Sequence, residues 1–145
     1  MNNKSEFCFH SEDIKFILIE KPAIVSWLSL CIERENKTPN DVSFVFCSDK
    51  FLHKMNIEHL KHNTLTDIIT FDYCEGEKII GEMFLSIDRI KENAKKFKNS
   101  FENELHRVMI HGILHLCGYK DKTIEDQKVM SQKEDFYLNL RNFKD

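Results

Sequence analysis

Residues 108–118 read Val-Met-Ile-His-Gly-Ile-Leu-His-Leu-Cys-Gly, a helix-forming run that is apolar on nearly every side except at two histidines. A helix of that kind has to be buried. A buried imidazole in turn needs a partner, because an unpaired polar group in a core is costly. His111 and His115 stand four residues apart, on one helix face with Cβ atoms about 5–6 Å from each other. Any fold of this chain must therefore bury one helix and supply something for both rings at once.

The residues that follow suggest what that is. Gly118 can take the positive φ that ends a helix and turns the chain back. Asp121, three residues on, is then carried round to the same side. Zn–N bonds are about 2.0–2.1 Å, so two rings at this spacing can share one ion, with Asp121 as third ligand. Three protein ligands leave a fourth position for water, as in catalytic zinc sites. The alternative is a pair of core histidines bonded to backbone or carboxylate. Two histidines and a carboxylate also suit iron, although the helical spacing favours zinc.

Gly112 lies inside the same helix, where glycine costs about 1 kcal/mol against alanine. Close packing against a sheet or the approach of a substrate would each require the missing side chain. The spacing His-x-x-x-His-x-x-Gly-x-x-Asp is zincin-like, matching that of the metzincin peptidases. Those enzymes place a glutamate base where this chain has Gly112, so the scaffold is similar and the peptidase base is absent.

The rest of the chain reads as one α+β domain over residues 1–145, a small mixed sheet of about four strands packed with helices. Strands are expected at residues 7–10, 42–47, 67–73 and 78–87, the last two forming a hairpin through Glu75-Gly-Glu. Residues 42–47 are apolar on both faces toward their end, which suits a central strand. Helices are expected at residues 23–34, 50–58, 88–98 and 124–140, and over the metal segment from a cap at Ser100. Thr38-Pro-Asn-Asp reads as a turn, and residues 59–65 as an irregular polar loop holding His59 and His62.

The composition excludes several classes. A net charge of −3 argues against nonspecific nucleic-acid binding through bulk charge, though not against a local basic patch. The most basic stretch, residues 89–98, is either a phosphate-binding face or a solvated helix. No segment reaches the roughly 20 apolar residues of a membrane span. Residues 1–6 lack the apolar run of a signal peptide. Five scattered cysteines without a CxxC fit a reduced, cytoplasmic setting.

At this point the chain resembles a family. His111-Gly-x-Leu-His115-Leu-x-Gly118-Tyr119 is similar to the H-G-x-L-H-L-x-G-Y-D-H signature of the YbeY endoribonucleases. Leu65-Thr66-Asp67-Ile-Ile-Thr-Phe71 resembles that family's P-T-D-V-L-S-F. Met55-Asn56 resembles its Leu-Asn, and residues 81–86 resemble G-D-I-x-I-S. The order holds from about residue 41 to residue 130. The resemblance implies a zinc-dependent, single-strand-directed endoribonuclease acting in ribosomal RNA maturation, at the 16S 3′ end, and in ribosome quality control. Its partners would be ribosomal RNA and ribosomal subunits, and it would bind no membrane. One Zn2+ would be held by His111, His115 and Asp121.

Two departures stand out. The family's third ligand is usually histidine, where this chain has Asp121. The family also carries an arginine important for activity, and by spacing it falls at Leu60. Lys61 is adjacent and can supply a cation, though not the forked contact of a guanidinium. Lys61 and Asp67 are the candidate catalytic residues. The competing readings are a noncatalytic ribosome-associated factor with a structural zinc, and a metallohydrolase of another substrate such as a peptide.

Overall fold

A computed structural model of the chain describes residues 6–143. Residues 1–5, within the segment read for a leader, and residues 144–145 lie outside the described part. Nine elements follow in the order β1 (Glu6–Ser11), α1 (Lys21–Arg34), β2 (Thr38–Cys47), α2 (Asp49–Leu60), β3 (Ile68–Asp72), β4 (Lys78–Ser86), α3 (Ile87–Lys96), α4 (Phe101–Leu116) and α5 (Ile124–Leu138). The four strands form one mixed sheet in the order β1-β2-β4-β3. β1, β2 and β4 run parallel, and β3 pairs antiparallel with β4 as the second half of the expected hairpin.

Alternation explains which face is covered by what. Val42, Phe44 and Phe46 of β2 and Ile79, Met83 and Leu85 of β4 point to one face. There they join Ile24, Leu28 and Ile32 of α1 and Met109, Ile110 and Ile113 of α4 in the main core. Each fully buried side chain of this size contributes about 1.5–3 kcal/mol relative to exposure. The opposite face carries a smaller cluster, Cys47, Leu52 and Ile69, closed by α2. β2 is central, and both its faces are buried toward its C-terminal end, as its composition suggests.

One expectation is corrected. Thr38–Asp41 is not a free turn but the start of β2, where Thr38 N–H donates to Glu77 O at 2.8 Å. The register shifts between Pro39 and Val42. A bulge there accommodates proline, which has no N–H to give to the ladder. The start of β4 supplies the pairing edge, and this is invisible from the turn-like residues alone.

Helix starts follow their local signals. Ser48, Ser86, Ser100 and Thr123 each cap a helix, accepting from the backbone N–H three residues on. α1 begins two residues earlier than its apolar pattern indicates, with Pro22 in its first turn, where a missing N–H is harmless.

Candidate metal centre

α4 is the buried helix foreseen, and it brings His111 and His115 to the edge of the sheet. Gly112 explains how it gets so close. A Cβ at this position would overlap Met83 Sδ and come within 2.9 Å of Ile68 Cδ1. Gly81, facing it from β4, would put a Cβ 2.7 Å from Leu116 Cδ1. Of the two reasons considered for Gly112, helix–sheet packing is the one the structure displays.

Gly118 has φ 109°, a conformation that glycine adopts freely, and it reverses the chain after α4. Asp121 returns to the histidines and is steadied by Gln127, whose Nε2 donates to its backbone oxygen at 3.1 Å. His115 Nε2 lies 3.0 Å from His111 Nε2, and Asp121 Oδ2 lies 3.3 Å from each. Ligands about 2.0–2.1 Å from a tetrahedral zinc stand roughly 3.3 Å apart, so the triangle has the right size.

The outer ring nitrogens fix what faces inward. His115 Nδ1 donates to Tyr119 O at 2.9 Å, and His111 Nδ1 donates to Glu134 Oε2 at 2.5 Å. With both Nδ1 protons committed, the neutral rings turn lone pairs toward each other and toward a carboxylate. Three acceptors with no donor among them form a set suited to a cation. This is also the second shell of a metal histidine, in which carboxylate or carbonyl sets tautomer and ring direction. Burial alone would lower the His111 pKa, yet Glu134, Asp67 and Asp121 raise it. The same negative surroundings would favour a cation held between the rings and Asp121.

Glu134 was not singled out in the sequence. It lies on α5 with its side chain only 9% exposed and also accepts from Arg107 Nη1 at 2.9 Å. Arg107, one turn before His111, donates to Asp135 as well, at 2.7 Å. One signal was available: Glu134 follows Met130 by four residues and precedes Tyr137 by three. It is thus a carboxylate on the apolar stripe of its helix.

The centre opens into a groove of about 820 Å³, whose lining includes Asn56, Leu60, His62, Thr66, Asp67, Lys120 and Lys122. A smaller hollow of about 390 Å³ on its other side is lined by Asp67, Glu104, Arg107 and Glu134. Asp67 lies in both. Burial raises its pKa, against the lowering pull of His111. Lys61 does not line the groove, although its neighbours Leu60 and His62 do. It sits past the end of α2 with φ 57° and is exposed. The groove cations are instead Lys120 and Lys122, on either side of Asp121. His62 is the exposed loop residue expected and also lines the groove, whereas His59 belongs to α2. The lysines of α3 are elsewhere: Lys91 and Lys95 share a hollow with Asp49, Asp88 and Glu92, which offset their charge.

Fold and site together define an α+β domain with a two-histidine, one-aspartate set able to hold a metal ion. The family model for the endoribonuclease YbeY matches residues 9–142, and the chain belongs to that family. It is 50% identical over 123 residues to the endoribonuclease YbeY of Flavobacterium johnsoniae, covering 85% of this chain and 88% of that one. It is 47% identical over 137 residues to that of Christiangramia forsetii, covering 94% and 95%. The solution structure of TM1509 from Thermotoga maritima superposes with a TM-score of 0.65 at 26% identity, covering 92% of this chain and 87% of that one. No helix among the described residues is long and apolar enough to cross a membrane.

Proposed function

We propose that this protein is a zinc-dependent endoribonuclease that cuts single-stranded RNA during ribosomal RNA maturation on ribosomal subunits in the cytoplasm. His111, His115 and Asp121 are the ligands in this reading. The observation that carries it is the inward-facing triangle of three acceptors with both outer imidazole nitrogens already bonded. Family membership supplies the substrate class.

Bound zinc would supply Lewis acidity toward a phosphate oxygen or a more acidic water. The chain's own residues do the rest. Lys120 and Lys122 attract the RNA backbone to the groove floor beside the ligands. Asp67 lines the groove, and burial raises its carboxyl pKa against the pull of His111; in this reading it is the group that would exchange a proton with the substrate. Asn56 fixes the far wall by donating from Nδ2 to Thr64 O at 2.9 Å.

A second reading has one observation in its favour. Leu60 puts an apolar side chain on the groove wall where the family arginine falls, which suits a noncatalytic ribosome-associated factor with a structural zinc. One experiment separates the two. Labelled single-stranded RNA is incubated with wild type, His115→Ala and Lys120→Ala/Lys122→Ala, purified in parallel. The nuclease reading expects cleavage by wild type, its loss in His115→Ala with an intact fold, and weaker RNA binding with a shallower salt slope in the double variant. Equal cleavage by wild type and His115→Ala would sink the assignment of the metal centre. Absence of cleavage by zinc-loaded wild type would favour the noncatalytic factor.

A further inference from the structure

We propose that Glu35, at the far end of α1, is a positioning residue for the metal centre, acting through Tyr119 on His115. The inference rests on the reading of His111, His115 and Asp121 as metal ligands.

Glu35 follows the last residue of α1, and its side chain is only 11% exposed. Three donors converge on it. Tyr119 Oη donates to Oε1 at 2.7 Å, Lys133 Nζ donates to Oε2 at 3.1 Å, and Tyr137 Oη also donates to Oε2. Lys133 lies over the rings of both Tyr119 and Tyr137, 5.6 and 5.9 Å from their centroids. A carboxylate removed from water needs partners of this kind. A clasp between α1 and α5 alone would not need the third one, Tyr119, which belongs to the loop after α4.

Tyr119 is the residue whose carbonyl receives the His115 Nδ1 proton. Its backbone is tied at one other point, where its N–H donates to Leu114 O at 3.0 Å. The hydroxyl bond to Glu35 adds a second tether from outside the α4 turn. Together they restrict the direction of the carbonyl and hence the rotation of the His115 ring. α5 therefore supports both histidines from adjacent residues. Glu134 holds His111 directly, and Lys133 holds Glu35, which holds Tyr119.

The test measures zinc affinity, by competition with a chromophoric chelator, for wild type, Glu35→Gln, Tyr119→Phe, Trp27→Phe and His115→Ala. Cobalt(II) absorption gives the ligand field of the same proteins. Trp27 donates from Nε1 to the backbone oxygen of Tyr137 at 2.8 Å and joins α1 to α5 while the Tyr137 hydroxyl and Tyr119 stay in place, so its variant reports a looser junction with the bonds to Glu35 kept. Removing a partner beyond the ligands typically weakens metal binding by about 10–100-fold. Glu35→Gln and Tyr119→Phe should each weaken zinc by roughly 10-fold, at the lower end of that range, and broaden the cobalt bands. Trp27→Phe should lower the melting temperature with unchanged affinity. Wild-type zinc affinity in both Glu35→Gln and Tyr119→Phe would make Glu35 a helix clasp and overturn the proposal. A shift in Trp27→Phe as large as theirs would also overturn it, since affinity would then follow stability. If His115→Ala bound zinc as tightly as wild type, the ligand assignment itself would fall, and the inference with it.

Discussion

The two walls of the groove are built differently. On one side α4 presents His111 and His115, and the loop after it Asp121, with a buried support from α5 behind them. His111 is held by Glu134, Glu134 by Arg107, and the helix backbone is pressed on the sheet through Gly112 and Gly81. On the other side every residue from Ile57 to Leu65 is exposed, tied by a few polar bonds such as those of the buried Asn56 side chain to Thr64 and of His53 to Asn63. Packed, satisfied groups hold a site to fractions of an ångström, whereas exposed loops open at low free-energy cost. The contrast teaches that core packing sets the geometry of the candidate metal triangle, while the facing wall of the groove is an exposed segment with little packing to fix it.

Four substitutions or conditions would break or sharpen that contrast. The largest effect is expected at Glu134. Glu134→Ala leaves Arg107 short of a partner and the His111 ring without its acceptor. It should cost about 2–4 kcal/mol in denaturant unfolding. Zinc affinity should fall about 10–100-fold in the same protein. Retention of wild-type zinc affinity would show that the rigid wall does not set the ion's geometry.

Gly112→Ala comes next. The new methyl group meets Met83 and Ile68, and overpacking typically costs about 1–3 kcal/mol. Better helix propensity offsets about 1 kcal/mol of that. A net loss of stability, seen as a lower midpoint at unchanged m-value, is the expected outcome. A net gain would mean that Met83 yields easily and that the wall is softer than its packing suggests.

Asn56→Ala probes the other wall. It leaves Thr64 O without its donor and should cost about 1 kcal/mol. Amide exchange should rise over residues 61–66 while zinc affinity stays unchanged. A drop in zinc affinity would show the two walls to be coupled.

Acid is the gentlest probe. Burial would raise the Glu35 pKa, but bonds from Tyr137, Tyr119 and Lys133 bring it below the ordinary glutamate value of about 4.5. A lowered carboxylate contributes stability that is present above the unfolded value and lost as pH falls through the folded one. The stability gap between wild type and Glu35→Gln should therefore be full at neutral pH and close below about pH 4.5. A gap independent of pH down to 2 would mean that the carboxylate's charge is not what the tyrosines and Lys133 hold.

Much of this molecule is legible without coordinates where its determinants are close along the chain. Ser48 and Ser100 announce helix starts because a cap acts within three residues, whereas Ser86 reads as strand and its capping role appears only in the structure. The hairpin of β3 and β4 is announced by Glu75-Gly-Glu between two β-rich runs. Pro39 is where local reading misleads. Its turn chemistry is real, but β4 offers hydrogen bonds that outweigh it, and the bulge absorbs the mismatch. Lys61 is misleading in the same way: it stands past the end of α2 in left-handed backbone, and Leu60 and His62 line the groove in its place.

The candidate ligand triad was determined by the sequence itself. His111, His115 and Asp121 lie within eleven consecutive residues, and helix periodicity plus one glycine suffices to bring them together. Their supports were decided only by the tertiary structure. Glu134 meets His111 across 23 residues, Glu35 meets Tyr119 across 84 and Lys133 across 98. Contacts of that range carry no periodic signature. They exist because packing α1 and α4 on the sheet and α5 on α4 brings these buried carboxylates to donors from distant parts of the chain.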